Sequence, residues 1–304
     1  MRRSLWLALA APLAFCACGA QDAAESSDDA ATGGDATGAA SATPAGPTEY
    51  TGDVMVLEDA GHGPRICFGA VALSYPPQCG EVDVVGWSWD EVGDFESAAE
   101  SKWGDFLVTG YFDEAFATFT LTQPPTSATE TTTPPSDDRW TTGTITSCEP
   151  PAGGWAVVDA TKTTEASMMA ALEHAQREPD HAGGWIDQSP FDVTPKNEHE
   201  RMNHPEYLVL NVRFTGDLAR HEADLREIWG GALCVDRAEH SDRELAAINA
   251  QLDADPRVIY SMTDVPANAL DVQVFVDDGL QAQLDEQYGE GVVRVSATMQ
   301  PVSP

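Results

Sequence analysis

The sequence has few basic residues for its length of 304. Its 16 Lys and Arg residues stand against 50 Asp and Glu residues, which gives a formal net charge of −34 at pH 7. Binding to a phosphate backbone or to anionic lipid headgroups depends on Lys and Arg side chains that neutralise the opposite charge. The charge balance therefore excludes nucleic acid as a partner, and it excludes adsorption to a membrane through a basic patch.

The sequence also lacks the common motifs of catalysis and ligand binding. It has no G-x-S-x-G turn, no phosphate-binding glycine loop, no D-x-D-x-D-G calcium loop and no H-E-x-x-H pair. Because it has 50 carboxylates, no single pair of them can be picked out as catalytic. We therefore expect a non-catalytic binding or structural protein, and we predict no cofactor.

Long apolar runs are missing, and the longest one lies at the start of the chain. The apolar run at positions 5–15 follows two arginines and precedes small residues, which is the layout of a secretory signal peptide. The run is shorter than the roughly 20 residues that a membrane-spanning helix needs. Residues 1–18 are therefore predicted to be a lipoprotein-type signal peptide that sends the chain to the periplasm or the cell surface.

The end of this signal resembles that of bacterial lipoproteins, in which a small residue precedes a Cys that becomes acylated. Ala17 before Cys18 meets this requirement, whereas the bulky Phe15 before Cys16 does not. We predict that Cys18 is lipidated and that the protein reaches a membrane through this anchor. Acylation of Cys16 is one alternative, and an ordinary signal peptide cut after Ala17 or Ala20 is another.

Residues 19–48 are predicted to form a disordered acidic tether. The segment contains five acidic residues, no basic residue and no side chain larger than Gln. Such a composition buries too little surface to offset the entropy of ordering. A flexible coil of this length has an end-to-end distance of roughly 30 Å, so it would hold the folded part away from the membrane.

Four cysteines remain after the signal: Cys67, Cys79, Cys148 and Cys234. An even number in an exported chain predicts disulfides, and four cysteines allow three pairings. Cys67 and Cys79 flank a short loop, so we pair them and leave Cys148 for Cys234. The rival interpretation, a metal site, needs closely spaced ligands such as C-x-x-C, which the sequence lacks.

The rest of the chain predicts an α+β protein in two parts. Residues 49–122 contain five short segments rich in β-branched and aromatic residues, which fit a small all-β barrel or sandwich. Residues 123–150 form a Pro/Thr-rich linker. Residues 151–304 alternate amphipathic helices with short strands, and Ser241 and Glu244 have the spacing of a capping box. We expect an α+β sandwich with a mainly antiparallel sheet in this second part.

Three segments of the chain resemble an uncharacterised family of secreted or lipid-anchored bacterial proteins. They are GPRICFGAVALSYPPQCG at 63–80, WGDFLVTGYFD at 103–113 and GGALCV at 230–235. The resemblance extends over most of residues 50–300. It implies export and anchoring, and it implies no known activity.

The most suggestive residues for chemistry are His199 and His204. Their i,i+5 spacing differs from the i,i+4 spacing of a zinc-protease helix, and Pro205 prevents the helix from continuing. A loop site for zinc or a similar ion would use both histidines with Glu198 or Glu200 as a further ligand. The alternative to a binding protein is thus a metal-dependent hydrolase built on His199 and His204, although a polar surface loop is the simpler interpretation.

Trp87 and Trp89 lie two residues apart, which would place both on one face of a strand. Exposed, they would form a stacking surface for a sugar or a peptide. Tryptophan is strongly buried on average, so we expect both to belong to the core.

Overall fold

The structure is a computed structural model that describes residues 47–68, 74–80, 82–128 and 145–302. The predicted signal peptide, Cys18 and the tether up to residue 46 lie outside the described residues, as does most of the Pro/Thr-rich linker. Within the described part of the chain, no helix is both long enough and apolar enough to cross a membrane.

The first half of the described chain is built of seven β-strands. Strand β5 shows the expected alternation, because Phe106, Val108 and Gly110 are buried while Leu107 and Tyr111 are exposed. The strands are β1 (Glu49–Asp59), β2 (His62–Cys67), β3 (Val82–Val85), β4 (Glu96–Ala98), β5 (Ser101–Asp113), β6 (Thr118–Leu121) and β7 (Thr126–Ser127).

Five of these strands close into a barrel in the order β1-β2-β3-β6-β5. The barrel closes because β5 pairs with β1 in antiparallel register from Glu49↔Tyr111 to Glu58↔Lys102. The pairing of β3 with β6 is parallel and the other pairings are antiparallel. The sequence allowed a barrel or a sandwich for this part, and the structure is a closed five-stranded barrel with further strands attached.

The second half alternates helices and strands. The four longer helices carry an apolar face, and α4 begins with the predicted capping box, in which Glu244 accepts a hydrogen bond from the backbone N–H of Ser241 at 2.7 Å. The elements are α1 (Glu165–Arg177), β8 (His181–Asp187), α2 (Glu198–Arg201), β9 (Val209–Phe214), α3 (Leu218–Ile228), β10 (Ala232–Arg237), α4 (Asp242–Leu252), β11 (Val258–Asp264), β12 (Ala269–Val276), α5 (Leu280–Tyr288) and β13 (Val293–Pro301).

These elements form two successive copies of one α-β-β-α-β unit, with the short α2 inserted in the first copy. In the first copy β8 is antiparallel to β9, and β9 is parallel to β10. In the second copy β11 is antiparallel to β12, and β12 is parallel to β13. The expectation of a mainly antiparallel sheet is therefore wrong and the sheets are mixed. The physical reason is that α3 and α5 act as crossover helices, which return the chain in the same direction.

Two disulfides join the cysteines in the pairs that the sequence predicts. Cys67 and Cys79 have Cα atoms 5.2 Å apart, and Cys148 and Cys234 have Cα atoms 5.7 Å apart. The second bridge fastens the segment that follows residue 144 to strand β10. Disulfides persist in oxidising compartments, so both bonds are consistent with a location outside the cytoplasm.

The barrel and the second α-β-β-α-β unit share strands and core. One edge of β1 pairs with β13 at Tyr50↔Pro301 and Thr51↔Gln300, and further along with β2. The side chains of Phe275 on β12 and Met299 on β13 are buried in the same core cluster as the barrel residue Phe119. The second unit therefore supplies part of the barrel's core.

We expect Phe275→Ala to lower the free energy of unfolding by about 3–5 kcal/mol, because it leaves a cavity in this shared core. Chemical denaturation at neutral pH measures the change. Phe116→Ala is the matched control, since Phe116 is 76% exposed and its removal should change stability by less than about 0.5 kcal/mol. Equal losses for the two variants would contradict the shared core.

Candidate functional site

A cleft of about 460 Å³ lies between the barrel and the second α-β-β-α-β unit. Its volume is in the range of small-ligand sites, which are concave, mainly apolar and furnished with a few polar groups. Residues from distant parts of the chain line it: Phe68, Val82, Phe112, Glu114, Ala117, Pro256, Arg257, Val258, Ile259, Phe275, Val276 and Asp278.

Three phenylalanines form the apolar wall of this cleft. The ring of Phe275 lies 4.7 Å from that of Phe112 and 5.2 Å from that of Phe68, measured between centroids, and both pairs are tilted. Phe275 is buried, whereas Phe68 and Phe112 are only partly buried. The two partly buried rings therefore present aromatic surface to the cleft while Phe275 fixes their position.

One end of the cleft is charged. Arg257 forms a bidentate ion pair with Asp255, with Nε to Oδ1 at 3.0 Å and Nη2 to Oδ2 at 2.7 Å. Its Nη1 lies 3.6 Å from Oδ1 of Asp278, and Glu114 faces it from the barrel side. The hydrogen bond from Arg257 lowers the pKa of Asp255, and the same hydrogen bond raises the pKa of Arg257. Three carboxylates therefore surround one guanidinium at this end.

The turn that carries Glu114 also carries an exposed aromatic side chain. Residues Glu114–Phe116 form a short 3₁₀ turn, which begins where the side chain of Asp113 accepts a hydrogen bond from the N–H of Ala115 at 3.1 Å. Phe116 is 76% exposed within this turn, and the next residue, Ala117, lines the cleft. A large apolar side chain thus stands in solvent beside the cleft.

A second cluster of polar side chains joins Glu178, Asp180 and His221, whose ligand atoms all lie within 4.8 Å of one another. His221 is almost completely buried and stacks on Phe214 with ring centroids 3.7 Å apart. Its Nε2 lies 2.9 Å from Oδ2 of Asp180. Among the described residues, this is the group of His, Cys, Asp and Glu side chains with the geometry for a metal ion.

Arg220 occupies the position in which a metal ion would contact this group. Its Nη2 lies 2.8 Å from Oε2 of Glu178 and 3.0 Å from Nε2 of His221. A zinc ion would need to approach the same atoms to about 2.0–2.2 Å, so the guanidinium and the ion compete for one place. The arrangement is therefore best described as an ion-pair network in which Arg220 supplies the positive charge.

The protonation of this network follows from its charges. Burial raises the pKa of Asp180, but the hydrogen bond and charge of His221 and the charge of Arg220 outweigh burial, so the net pKa is lowered. Asp180 is therefore ionised at neutral pH and can only accept hydrogen bonds. The Asp180 carboxylate is therefore an anion that lies against Nε2 of His221, next to the guanidinium of Arg220.

His199 and His204 lie on the surface in and after the short helix α2. His199 has a side chain that is 71% exposed, and its Nε2 lies 3.6 Å from the carboxylate of its neighbour Glu200. Nδ1 of His204 accepts a hydrogen bond from the N–H of Glu206 at 3.4 Å. Within the described ranges, neither histidine is brought together with two further ligands in a metal-binding geometry.

Trp87 and Trp89 pack against the barrel core, as the sequence predicts for core residues. Trp89 is buried and donates a hydrogen bond from Nε1 to Oε2 of Glu58 at 2.7 Å. The two rings meet edge to face with centroids 5.2 Å apart, and Trp87 also meets the ring of Phe106. Both tryptophans lie beyond the end of β3, so they share a packing cluster rather than a strand face.

No protein-family model matches the chain, and no curated protein matches it either. The interpretation of its sites therefore depends on the geometry of its own side chains.

The cleft contains residues that sequence reasoning did not select. Its aromatic residues look like ordinary core residues in the sequence, and its lining comes from segments more than 150 residues apart. One local signal is Arg257, a single basic residue after the acidic stretch Asp253–Pro256. The signal is weak, because a lone arginine beside acids is common on protein surfaces.

We expect Zn²⁺ to stabilise the Arg220→Ala variant and to leave the natural protein nearly unchanged. Removing the guanidinium leaves the ligand atoms of Glu178, Asp180 and His221 open to the ion. The thermal unfolding midpoint in a tenfold molar excess of Zn²⁺ measures this, with a rise of several degrees expected for the variant alone. Arg220→Ala combined with Asp180→Asn is the control and should lose the rise. An equally large rise in the natural protein would contradict the assignment of Arg220.

Proposed function

We propose that this chain is an exported, lipid-anchored binding protein without catalytic activity, and that the cleft between the barrel and the second α-β-β-α-β unit is its ligand site. The observation that carries the proposal is the cleft itself, which combines an aromatic wall with a charged end. This is the combination that small-ligand and peptide sites use: apolar surface for affinity and a few polar groups for orientation.

The geometry of the polar clusters favours binding over catalysis. A general base must be free to take a proton from a substrate. In the Asp180–His221 pair, Nε2 of the buried imidazole lies 2.9 Å from the Asp180 carboxylate, and Phe214 covers one face of the ring. In the cleft, Arg257 is held by Asp255 and lies beside Asp278. The side chains of both clusters are therefore held by contacts with one another. This arrangement fixes their positions for binding a ligand and leaves none of them free to act as a general base.

The leading segment and the disulfides support a location outside the cytoplasm. Acylation of Cys18 would fasten the chain to a membrane, and residues 19–48 would let the cleft reach partners at a distance from it. Membership of the exported bacterial family that three sequence segments suggest is part of the same proposal. The partner is a small molecule or a protein met outside the cytoplasm, and nucleic acid is disfavoured by the charge of −34.

The neutral fluorescent probe N-phenyl-1-naphthylamine tests the cleft. We expect its fluorescence to rise saturably with the natural protein, because the aromatic wall offers it an apolar environment. Ala117→Trp should lower the affinity at least tenfold by filling the cleft. Ala115→Trp, in the same turn but outside the lining, is the control and should bind as the natural protein does. Absence of binding, or equal binding by both variants, would overturn the cleft as a ligand site.

Labelling with a radioactive fatty acid in a bacterial host tests the anchor. We expect the natural protein to incorporate the label and to sediment with membranes. Cys18→Ser should lose the label and appear in the soluble extracytoplasmic fraction, whereas Cys16→Ser should keep the label. Loss of the label in Cys16→Ser alone would move the anchor to Cys16, which overturns the assignment of Cys18. Absence of label from the natural protein would overturn anchoring altogether.

A further inference from the structure

We propose that the cleft binds a basic peptide segment that presents a hydrophobic side chain next to Lys or Arg. This inference rests on the proposed function, because it assigns a chemical class to the ligand of the same site. It follows from the apolar wall, from the charges that remain uncompensated at the charged end, and from the field of the whole chain.

The apolar wall requires an apolar group on the ligand. Phe68 and Phe112 present partly buried rings, and Val258 and Ile259 of strand β11 also line the cleft. A volume of about 460 Å³ accommodates one large side chain with part of its backbone. The exposed ring of Phe116 extends the apolar surface beyond the mouth. Burying an aromatic or aliphatic side chain there would supply most of the affinity.

The charged end requires a positive charge on the ligand. Arg257 uses Nε and Nη2 on Asp255, and Nη2 also donates to Oε1 of Gln283 at 3.2 Å. The carboxylates of Asp255, Asp278 and Glu114 surround this one guanidinium, so the charged end of the cleft keeps a net negative charge. Among the described residues, none donates a hydrogen bond to the Glu114 carboxylate. A ligand with a cation beside its apolar group would pair with Asp278 and Glu114, whereas an anionic ligand would be repelled.

The charge of the whole chain acts in the same direction. A net charge of −34 attracts cations over the distance of several side chains and repels anions, so it raises the rate at which a basic segment arrives. The general field does not distinguish one acidic patch from another. Selection of the cleft therefore depends on the match between its apolar wall and the adjacent pair of acids.

Three short peptides separate these contributions: Ac-Lys-Phe-Lys-amide, Ac-Lys-Ala-Lys-amide and Ac-Glu-Phe-Glu-amide. Dissociation constants are measured with the folded protein in 0.15 M salt from changes in amide NMR shifts. We expect the Lys-Phe-Lys peptide to bind at least tenfold more tightly than either of the others. Its binding should shift the amides of Ala117 and Arg257.

Two matched double variants locate the charge effect. Glu114→Gln with Asp278→Asn removes the two acids of the cleft and should weaken the Lys-Phe-Lys peptide about tenfold. Glu165→Gln with Glu173→Gln changes the net charge equally on helix α1, which packs in the first α-β-β-α-β unit, and should change the affinity less than twofold. Thermal unfolding midpoints verify that both variants are folded.

Two results would overturn the inference. Equal weakening by the two double variants would mean that the general field, and not the cleft, attracts the peptide. Equal binding of the Lys-Phe-Lys and Glu-Phe-Glu peptides would mean that the cleft does not distinguish cationic from anionic ligands. In either case saturable binding of the neutral naphthylamine probe would leave the proposed function intact, whereas absence of all binding would overturn both proposals.

Discussion

The insertion of Phe275 into the barrel core is the contact on which the rest of the structure depends. A five-stranded barrel of this size encloses a small core, and its buried side chains need a partner at the open end. Phe275 supplies that partner from strand β12, where it contacts Phe68, Phe112 and Phe119. The same ring is part of the apolar wall of the cleft. The contact that joins the two halves of the protein thus also creates its most suitable ligand site.

The two α-β-β-α-β units have the same order of elements and different surroundings. The sheet of the second unit continues into the barrel through the pairing of β13 with β1. In the described part of the chain, the sheet of the first unit consists of β8, β9 and β10, and a disulfide at Cys234 fastens β10 to the segment around Cys148. The first unit also contains the ion-pair network of Arg220. The second unit therefore contributes a strand pairing and core side chains to the barrel, while the first unit is stabilised by a disulfide and by ion pairs.

The sequence predicted local features well and long-range pairing poorly. Helices α3, α4 and α5 follow from apolar periodicity and from caps such as Ser241 and Glu244, and the pairing of Cys67 with Cys79 follows from the length of one short loop. Strand β8 has a weak local signal, because Gly183 and Gly184 interrupt it and give it little β-propensity. The mixed character of the sheets and the cleft depend on which distant segments pair, and local periodicity does not contain that information.

The pairing of Thr51 with Gln300 joins residues about 250 positions apart. Strand β1 can therefore pair with β13 only when almost the whole chain is present. Closing a loop of this length is entropically costly, and topologies dominated by distant contacts assemble slowly. A partly synthesised chain consequently has no way to complete the sheet ahead of its own C-terminus. The pairing of β1 with β13 is therefore expected to be among the last contacts to form when the protein refolds.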